Sequence, residues 1–167
     1  MVLALSVMSV TSFIVTTALL TLYSVFDIRD RRVKNEIILG GLIVGCIVLL
    51  LTSHFVQQFW LHLLAIIYVV PLSMILYKGG SIGGADLKVM FTVALLSPGI
   101  ELGEWMVTSN LFVSSYLLEV ALGFGGQLIV MLLGGYLYWR YSKKEGTPPL
   151  IPFLFLGYFI IQLLALV

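Results

Sequence analysis

Long apolar runs fill most of this chain, and only short polar segments separate them. Hydrophobic residues make up 60% of the 167 positions and charged residues 10%, whereas a soluble domain carries about 25% charged residues. This composition indicates that the chain folds in a bilayer. Because a spanning helix needs about 20 apolar residues, the chain has room for about six of them. We therefore predict an all-α, polytopic membrane protein with about six transmembrane helices and a single domain over residues 1–167.

The basic residues predict the orientation of these helices. All nine Lys and Arg residues fall into three clusters that follow the first, third and fifth apolar runs. The clusters are Arg29, Arg31, Arg32 and Lys34; Lys78 and Lys88; and Arg140, Lys143 and Lys144. Short cytoplasmic loops accumulate Lys and Arg, so we predict that these three clusters are cytoplasmic and that both termini lie outside.

Six apolar runs give the predicted helices. They extend from about Leu5 to Phe26, Glu36 to Thr52, Phe59 to Tyr77, Gly84 to Ser97, Val120 to Trp139, and from after Pro149 to Val167. Starting the fifth helix at Val120 keeps the charge of Glu119 at the outer interface, where Trp105 also suits the headgroup level. Gly41 and Gly45 have GxxxG spacing, which predicts a close approach between helices.

Two carboxylates stand apart among the acidic residues. Asp27 directly follows an apolar stretch and so lies in the last turn of the first helix, while Asp86 begins the fourth helix within the glycine-rich segment 79–88. A charge at membrane depth costs about 2.5 to 3.5 kcal/mol at a helix centre, so a carboxylate placed there tends to be functional. Glycines allow another backbone to approach Asp86 closely. The topology places both carboxylates on the cytoplasmic side.

A pair of neighbouring carboxylates is compatible with two kinds of function. Two such groups share a proton, so that one can activate water while the other polarises a peptide carbonyl, as in aspartic proteases. The same pair could instead conduct protons or ions in a small transporter or scaffold subunit. Neither requires a cofactor or a metal, and we predict none. His54 and His62 lie toward the outer face without a Cys or acidic neighbour at metal-ligand spacing, and Cys46 is a lone cysteine.

Two motifs in the chain resemble those of one protease family. Residues 27–35 resemble the first motif of type IV prepilin peptidases and archaeal preflagellin peptidases, in which an Asp ends a helix before a basic run. Residues 83–88 are similar to their GxGD motif, which a hydrophobic residue and Lys commonly follow. The resemblance implies that Asp27 and Asp86 form the catalytic dyad. It further implies motif or supporting roles for Gly83, Gly84, Ala85 and Lys88.

The resemblance also implies a function. It implies an aspartyl endopeptidase of the cell membrane that removes the basic leader from pilin-like precursors with class III signal peptides, as in type IV pilus assembly. The expected partners are these precursors and membrane lipid, with no nucleic acid.

The chain departs from the family's motifs at two positions. Ala85 replaces the second Gly of GxGD, and Lys34 replaces the usual Pro. No Cys-rich domain is present, so we predict cleavage without N-methylation.

A second group of proteases also uses the GxGD motif. Signal-peptide-peptidase and presenilin-like proteases carry a Tyr-Asp motif on the first catalytic helix and are larger proteins. Here Phe26 precedes Asp27, and the chain has 167 residues. The prepilin peptidase resemblance is therefore the closer one.

Overall fold

A computed structural model describes residues 6–102, 112–142 and 148–166, with side chains from residue 116 onward in the second range. The helices are α1 Val7–Asp30, α2 Asn35–Leu51, α3 His54–Gln57, α4 Phe59–Lys78, α5 Gly84–Leu96, α6 Phe112–Ser142 and α7 Ile151–Leu164. Strands are absent from these ranges. The all-α prediction is confirmed for the part of the chain that the structure describes.

Within the described ranges, three helices are long and apolar enough to cross a membrane. They are α1, α4 and the part of α6 from Tyr116 to Ser142. The shorter helices α2 and α7 are also apolar, with 17 and 14 residues. The number of six membrane-spanning helices and the outward orientation of both termini stay predictions.

The helices form a closed ring. Along the ring α1 packs against α2, α2 against α5, α5 against α4, α4 against α6, α6 against α7, and α7 against α1. The interior contains large side chains that are almost fully buried, among them Tyr23, Met90, Phe124 and Tyr158. The first turn of α5 lies at the end of the ring where α1 ends and α7 begins, since Asp27, Gly84 and Leu150 line one cavity there.

The glycines of α2 bring this helix close to two neighbours. A Cβ on Gly41 would overlap the hydroxyl of Tyr23 in α1, and a Cβ on Gly45 would overlap Leu96 at the end of α5. Tyr23 also donates a hydrogen bond to the carbonyl of Ile38, at 3.2 Å. The close helix approach predicted from the GxxxG spacing is confirmed.

Several predicted helix boundaries need correction, among them the end of α6, which is Ser142 and not Trp139, and the end of α7, which is Leu164 and not Val167. Helix α1 continues to Asp30, where Arg31 adopts a left-handed φ of 54° and its N–H donates to the Asp27 carbonyl. Helix α6 begins at Phe112 and not at Val120, so Glu119 lies inside a helix. The cost of this carboxylate is offset by a hydrogen bond from the Ile100 N–H, at 2.9 Å. The short helix α3 was not predicted.

Several predicted positions lie outside the described residues. These are Trp105 of the predicted interfacial segment, and Lys143 and Lys144 of the third basic cluster. The remaining basic residues lie near the connections 31–34 and 79–83 and near the end of α6. We call this end of the ring the basic end.

Candidate active site

A cavity of about 540 Å³ opens at the basic end, where three connections between helices meet. Its wall is formed by Asp27, Arg31, Arg32, Val33, Asn35, Gly80, Ser81, Ile82, Gly83, Gly84, Ala85, Asp86, Lys88, Pro148, Pro149 and Leu150. The structure thus brings both predicted catalytic residues, and the motif residues around them, to one cavity.

Asp27 is held by the beginning of the last helix. Its side chain is 8% exposed, and Oδ2 accepts a hydrogen bond from the N–H of Ile151, at 3.2 Å. Ile151 is the first residue of α7, where main-chain N–H groups have no partner within the helix and the helix dipole is positive. The hydrogen bond and the helix dipole partly offset the cost of burying a negative charge on Asp27.

Asp86 is held by the turn that precedes its own helix. It is 9% exposed and is the third residue of α5, and its Oδ2 accepts a hydrogen bond from the Gly83 N–H at 2.8 Å. A carboxylate at this helix position commonly reaches back to the residue that caps the helix. The bond fixes Asp86 against the glycine-rich turn, on the wall of the cavity.

The two motif glycines differ in what they allow. Gly83 has an ordinary extended backbone, with φ −84° and ψ 168°, so its contribution is space: a Cβ there would lie 3.1 Å from Oδ2 of Asp86. A Cβ on Gly84 would meet only Tyr77, at 3.8 Å. The left-handed backbone of this segment occurs at Gly80, with φ 72°. Ala85, at the position of the second motif glycine, is half-buried and packs against the core.

The two carboxyl groups also interact with each other. Asp27 is close enough to Asp86 for its charge to act on that group. The positive charge of Arg31, which also lines the cavity, acts on Asp27 in the opposite sense and stabilises its negative charge. Two like charges in one cavity make a state with a single shared proton favourable. The arrangement can therefore supply a general base and a general acid together.

Lys88 connects two helices beside this pair. Its Nζ donates a hydrogen bond to Oδ1 of Asn35 at 2.6 Å, which joins α5 to the first residue of α2. This hydrogen bond links two residues of the cavity wall, and the supporting role of Lys88 stays a prediction. Asn35 and the Ile151 N–H were not singled out from the sequence. Pro148 and Pro149 before α7 were the available signal for the latter, because proline is common where helices begin.

A second polar group lies at the opposite end of the ring. Nε2 of His54 lies 3.1 Å from Oε2 of Glu101, and Nδ1 of His54 lies 3.1 Å from Nε2 of His62. All three residues are buried. The sequence shows no acidic residue at metal-ligand spacing from these histidines, and the fold brings Glu101 beside His54 although 47 positions separate them. Among the described residues no three His, Cys, Asp or Glu side chains are arranged to hold a metal ion.

The chain was compared with known families, proteins and structures. No curated protein and no solved structure gives a significant match. The model of the type IV leader peptidase family matches residues 14–166, a range that includes the whole cavity and both carboxylates. The chain therefore belongs to the type IV leader peptidase family.

Proposed function

We propose that the protein is an aspartyl endopeptidase that removes the short basic leader from prepilin-like or preflagellin-like precursors. One observation carries this proposal: Asp27 and Asp86 line the same cavity, although they come from different helices. Membership in a leader peptidase family supports peptide hydrolysis. Precursors with class III signal peptides are the substrates that fit this family and this cavity.

The proposed chemistry needs only the two carboxyl groups and a water molecule. The ionised carboxylate takes a proton from water, and the resulting hydroxide attacks the scissile carbonyl carbon while the protonated carboxyl donates a proton to the carbonyl oxygen. Collapse of the tetrahedral intermediate breaks the C–N bond: the leaving nitrogen takes the proton from the first carboxyl, and one hydroxyl of the intermediate returns a proton to the second carboxyl. The leader departs as a carboxylic acid and the mature chain as a free amine. The backbone donors at Ile151 and Gly83 hold the two carboxyl groups in position.

The cavity also suits a substrate that is polar on one side of the cleaved bond and apolar on the other. It opens among the connections of the basic end, which we assign to the cytoplasmic side of the membrane because short cytoplasmic loops are rich in Lys and Arg. The basic leader would enter from the cytoplasm while the apolar helix stays in the bilayer. We also propose that cleavage occurs without N-methylation.

The first test replaces each carboxylate separately. We expect Asp27→Asn and Asp86→Asn to lower the rate of precursor cleavage in liposomes by about 10²- to 10⁴-fold, because each removes one partner of the acid–base pair. Cleavage is measured by gel shift, and the mass of the mature product shows whether its N-terminus is methylated. Asp30→Asn is the matched control, since Asp30 is exposed and does not line the cavity.

The control should cleave at the wild-type rate. If either Asp27→Asn or Asp86→Asn retains that rate, the dyad assignment is wrong. Ion handling by the two carboxylates would then become the better explanation of their position.

A further inference from the structure

An apolar groove of about 510 Å³ lies between α2 and α5. We call it the α2–α5 groove, and it is lined by Asn35, Glu36, Ile38, Leu39, Leu42, Lys88, Phe91 and Thr92. Ile38 and Thr92 are buried, while Leu39 is 57% exposed. The groove therefore has a closed floor and an open, apolar wall that faces away from the ring.

The α2–α5 groove is continuous with the candidate active site. Asn35 and Lys88 line both the groove and the catalytic cavity, and the hydrogen bond between their side chains spans the boundary. Two other apolar grooves share no lining residue with the cavity. One lies beside Cys46 and Phe55, and the other lies between α6 and α7, beside Leu122.

Helix α5 carries residues of both sites within two turns. Asp86 lies in its first turn, and Phe91 and Thr92 follow in the next one. With a rise of about 1.5 Å per residue, Thr92 is about 9 Å further along the helix axis than Asp86. A peptide whose scissile bond lies at Asp86 would thus reach the groove within its next few residues.

The polarity of the groove changes along its length. Asn35, Glu36 and Lys88 lie at its end beside the cavity, and the side chains of Leu39, Leu42 and Phe91 continue it as an apolar surface. A leader peptidase substrate changes in the same order, from a charged leader to an apolar helix. The exposed carboxylate of Glu36 adds a charge opposite to that of a basic leader.

We propose that the α2–α5 groove binds the first turns of the precursor's apolar helix, a role that rests on the peptidase function proposed above. The helix lies against α2 and α5 within the bilayer, and the chain before it passes Asn35 and Lys88 into the catalytic cavity. Lys88 is then a positioning residue for the substrate. The occupant is a single apolar helix with a basic N-terminal extension.

The kinetic test fills the groove and compares two substrates. Leu39→Trp and Leu42→Trp place a large side chain in it, and each is assayed with the full precursor and with a short leader peptide that lacks the apolar helix. We expect KM for the full precursor to rise about tenfold more than KM for the short peptide. The matched control is Leu122→Trp in the groove between α6 and α7, which should change the two KM values equally.

The second test does not depend on catalysis. A photoreactive amino acid at position 42 or at position 122 is introduced into the Asp86→Asn variant, and the cross-linked precursor is mapped by mass spectrometry. We expect cross-links from position 42 to the first turns of the precursor's apolar helix, and few from position 122. Equal cross-linking from both positions, or equal KM changes for both substrates in Leu39→Trp and Leu42→Trp, would overturn the proposal.

The two tests separate this proposal from the peptidase function. If the wild-type protein cleaves neither substrate, the peptidase function is wrong, and the cross-links still decide whether the groove binds the helix. If the wild type cleaves both substrates but position 42 gives no cross-link, only the groove is wrongly assigned.

Discussion

Gly83 acts on Asp86 in two ways. Its N–H donates a hydrogen bond to Oδ2 of Asp86, and its missing side chain leaves room for that same oxygen. A Cβ at 3.1 Å from the oxygen is closer than most carbon atoms come to a neighbour, so either the carboxyl group or the turn would have to move. A small displacement of a catalytic group can cost about 10²-fold in rate.

We expect Gly83→Ala to lower kcat for precursor cleavage by about tenfold or more, because it displaces the Asp86 carboxyl group. Gly84→Ala is the matched control, since its added methyl group would make only an ordinary contact with Tyr77 at 3.8 Å. Initial rates at saturating precursor measure both variants. Equal rates for Gly83→Ala and the wild type would show that Asp86 is not positioned through this turn.

The sequence allowed us to predict the side chains of the candidate site but not the main-chain groups that bind them. Asp27 and Asp86 could be singled out because a carboxylate beside apolar residues is unusual. The N–H of Ile151 could not, since every residue except proline has one and this one lies 124 positions from Asp27. Only the fold decides which main-chain donor meets which carboxylate.

Helix α2 packs through its glycines, and its two sides have different surroundings. Gly41 faces Tyr23 and Leu19 of α1, whereas a Cβ on the adjacent Gly40 would have nothing within 4 Å. Replacing either glycine by alanine raises the helix preference of α2 equally, but only the replacement at Gly41 adds a methyl group to a filled site. A comparison of the two substitutions therefore isolates the effect of packing.

We expect Gly41→Ala to lower the free energy of unfolding by about 1 to 3 kcal/mol, because a methyl group in a filled site forces the helices apart. Gly40→Ala should leave it unchanged or raise it slightly. Thermal unfolding of the purified protein in detergent measures both. A Gly41→Ala variant as stable as Gly40→Ala would mean that α1 and α2 are not held at this distance.

The elements themselves were largely predictable from the apolar runs. Helices α2, α4 and α5 begin and end within one residue of their predicted bounds, because in each case the change from polar to apolar residues is sharp. Helix α6 was predicted too short, since Glu119 argued against a helix at that point. Its hydrogen bond from Ile100 depends on a tertiary contact that a sequence pattern does not contain.

The whole molecule has a second polar centre, at the end opposite the candidate active site. Gln162 of α7 is fully buried there, and its Oε1 accepts hydrogen bonds from the N–H groups of Glu101 and Leu102, at 2.8 and 3.2 Å. Its Nε2 donates to the carbonyl of Gly99, at 3.1 Å. One side chain thus attaches the segment after α5 to the last helix.

We expect Gln162→Leu to lower Tm markedly, because it leaves three buried main-chain groups without these partners, each at a cost of about 1 to 3 kcal/mol. Cleavage at low temperature should persist, since Gln162 lies far from Asp27 and Asp86. The control is Gln57→Leu at an exposed position. Loss of cleavage in a Gln162→Leu protein that remains folded would indicate coupling between the two ends.

The arrangement of the whole ring was less accessible from the sequence than its parts. The cluster of His54, His62 and Glu101 joins α3, α4 and the segment after α5, over separations of 8 and 47 positions. The packing of the intervening helices brings these three residues together, so their spacing in the sequence does not predict the contacts. The topology, in contrast, correctly indicated that Asp27 and Asp86 lie at the same end.

The bond from the Ile151 N–H to Asp27 has a consequence for biosynthesis. Asp27 is synthesised 124 residues before Ile151, so its backbone donor exists only once α7 has been synthesised. A nascent chain that has folded only α1 to α5 therefore carries both carboxylates, with the hydrogen bond from Gly83 to Asp86 in place and the one to Asp27 still missing. The support of the carboxylate pair is complete only once α7 has folded against α1, so we expect partly synthesised chains to lack peptidase activity.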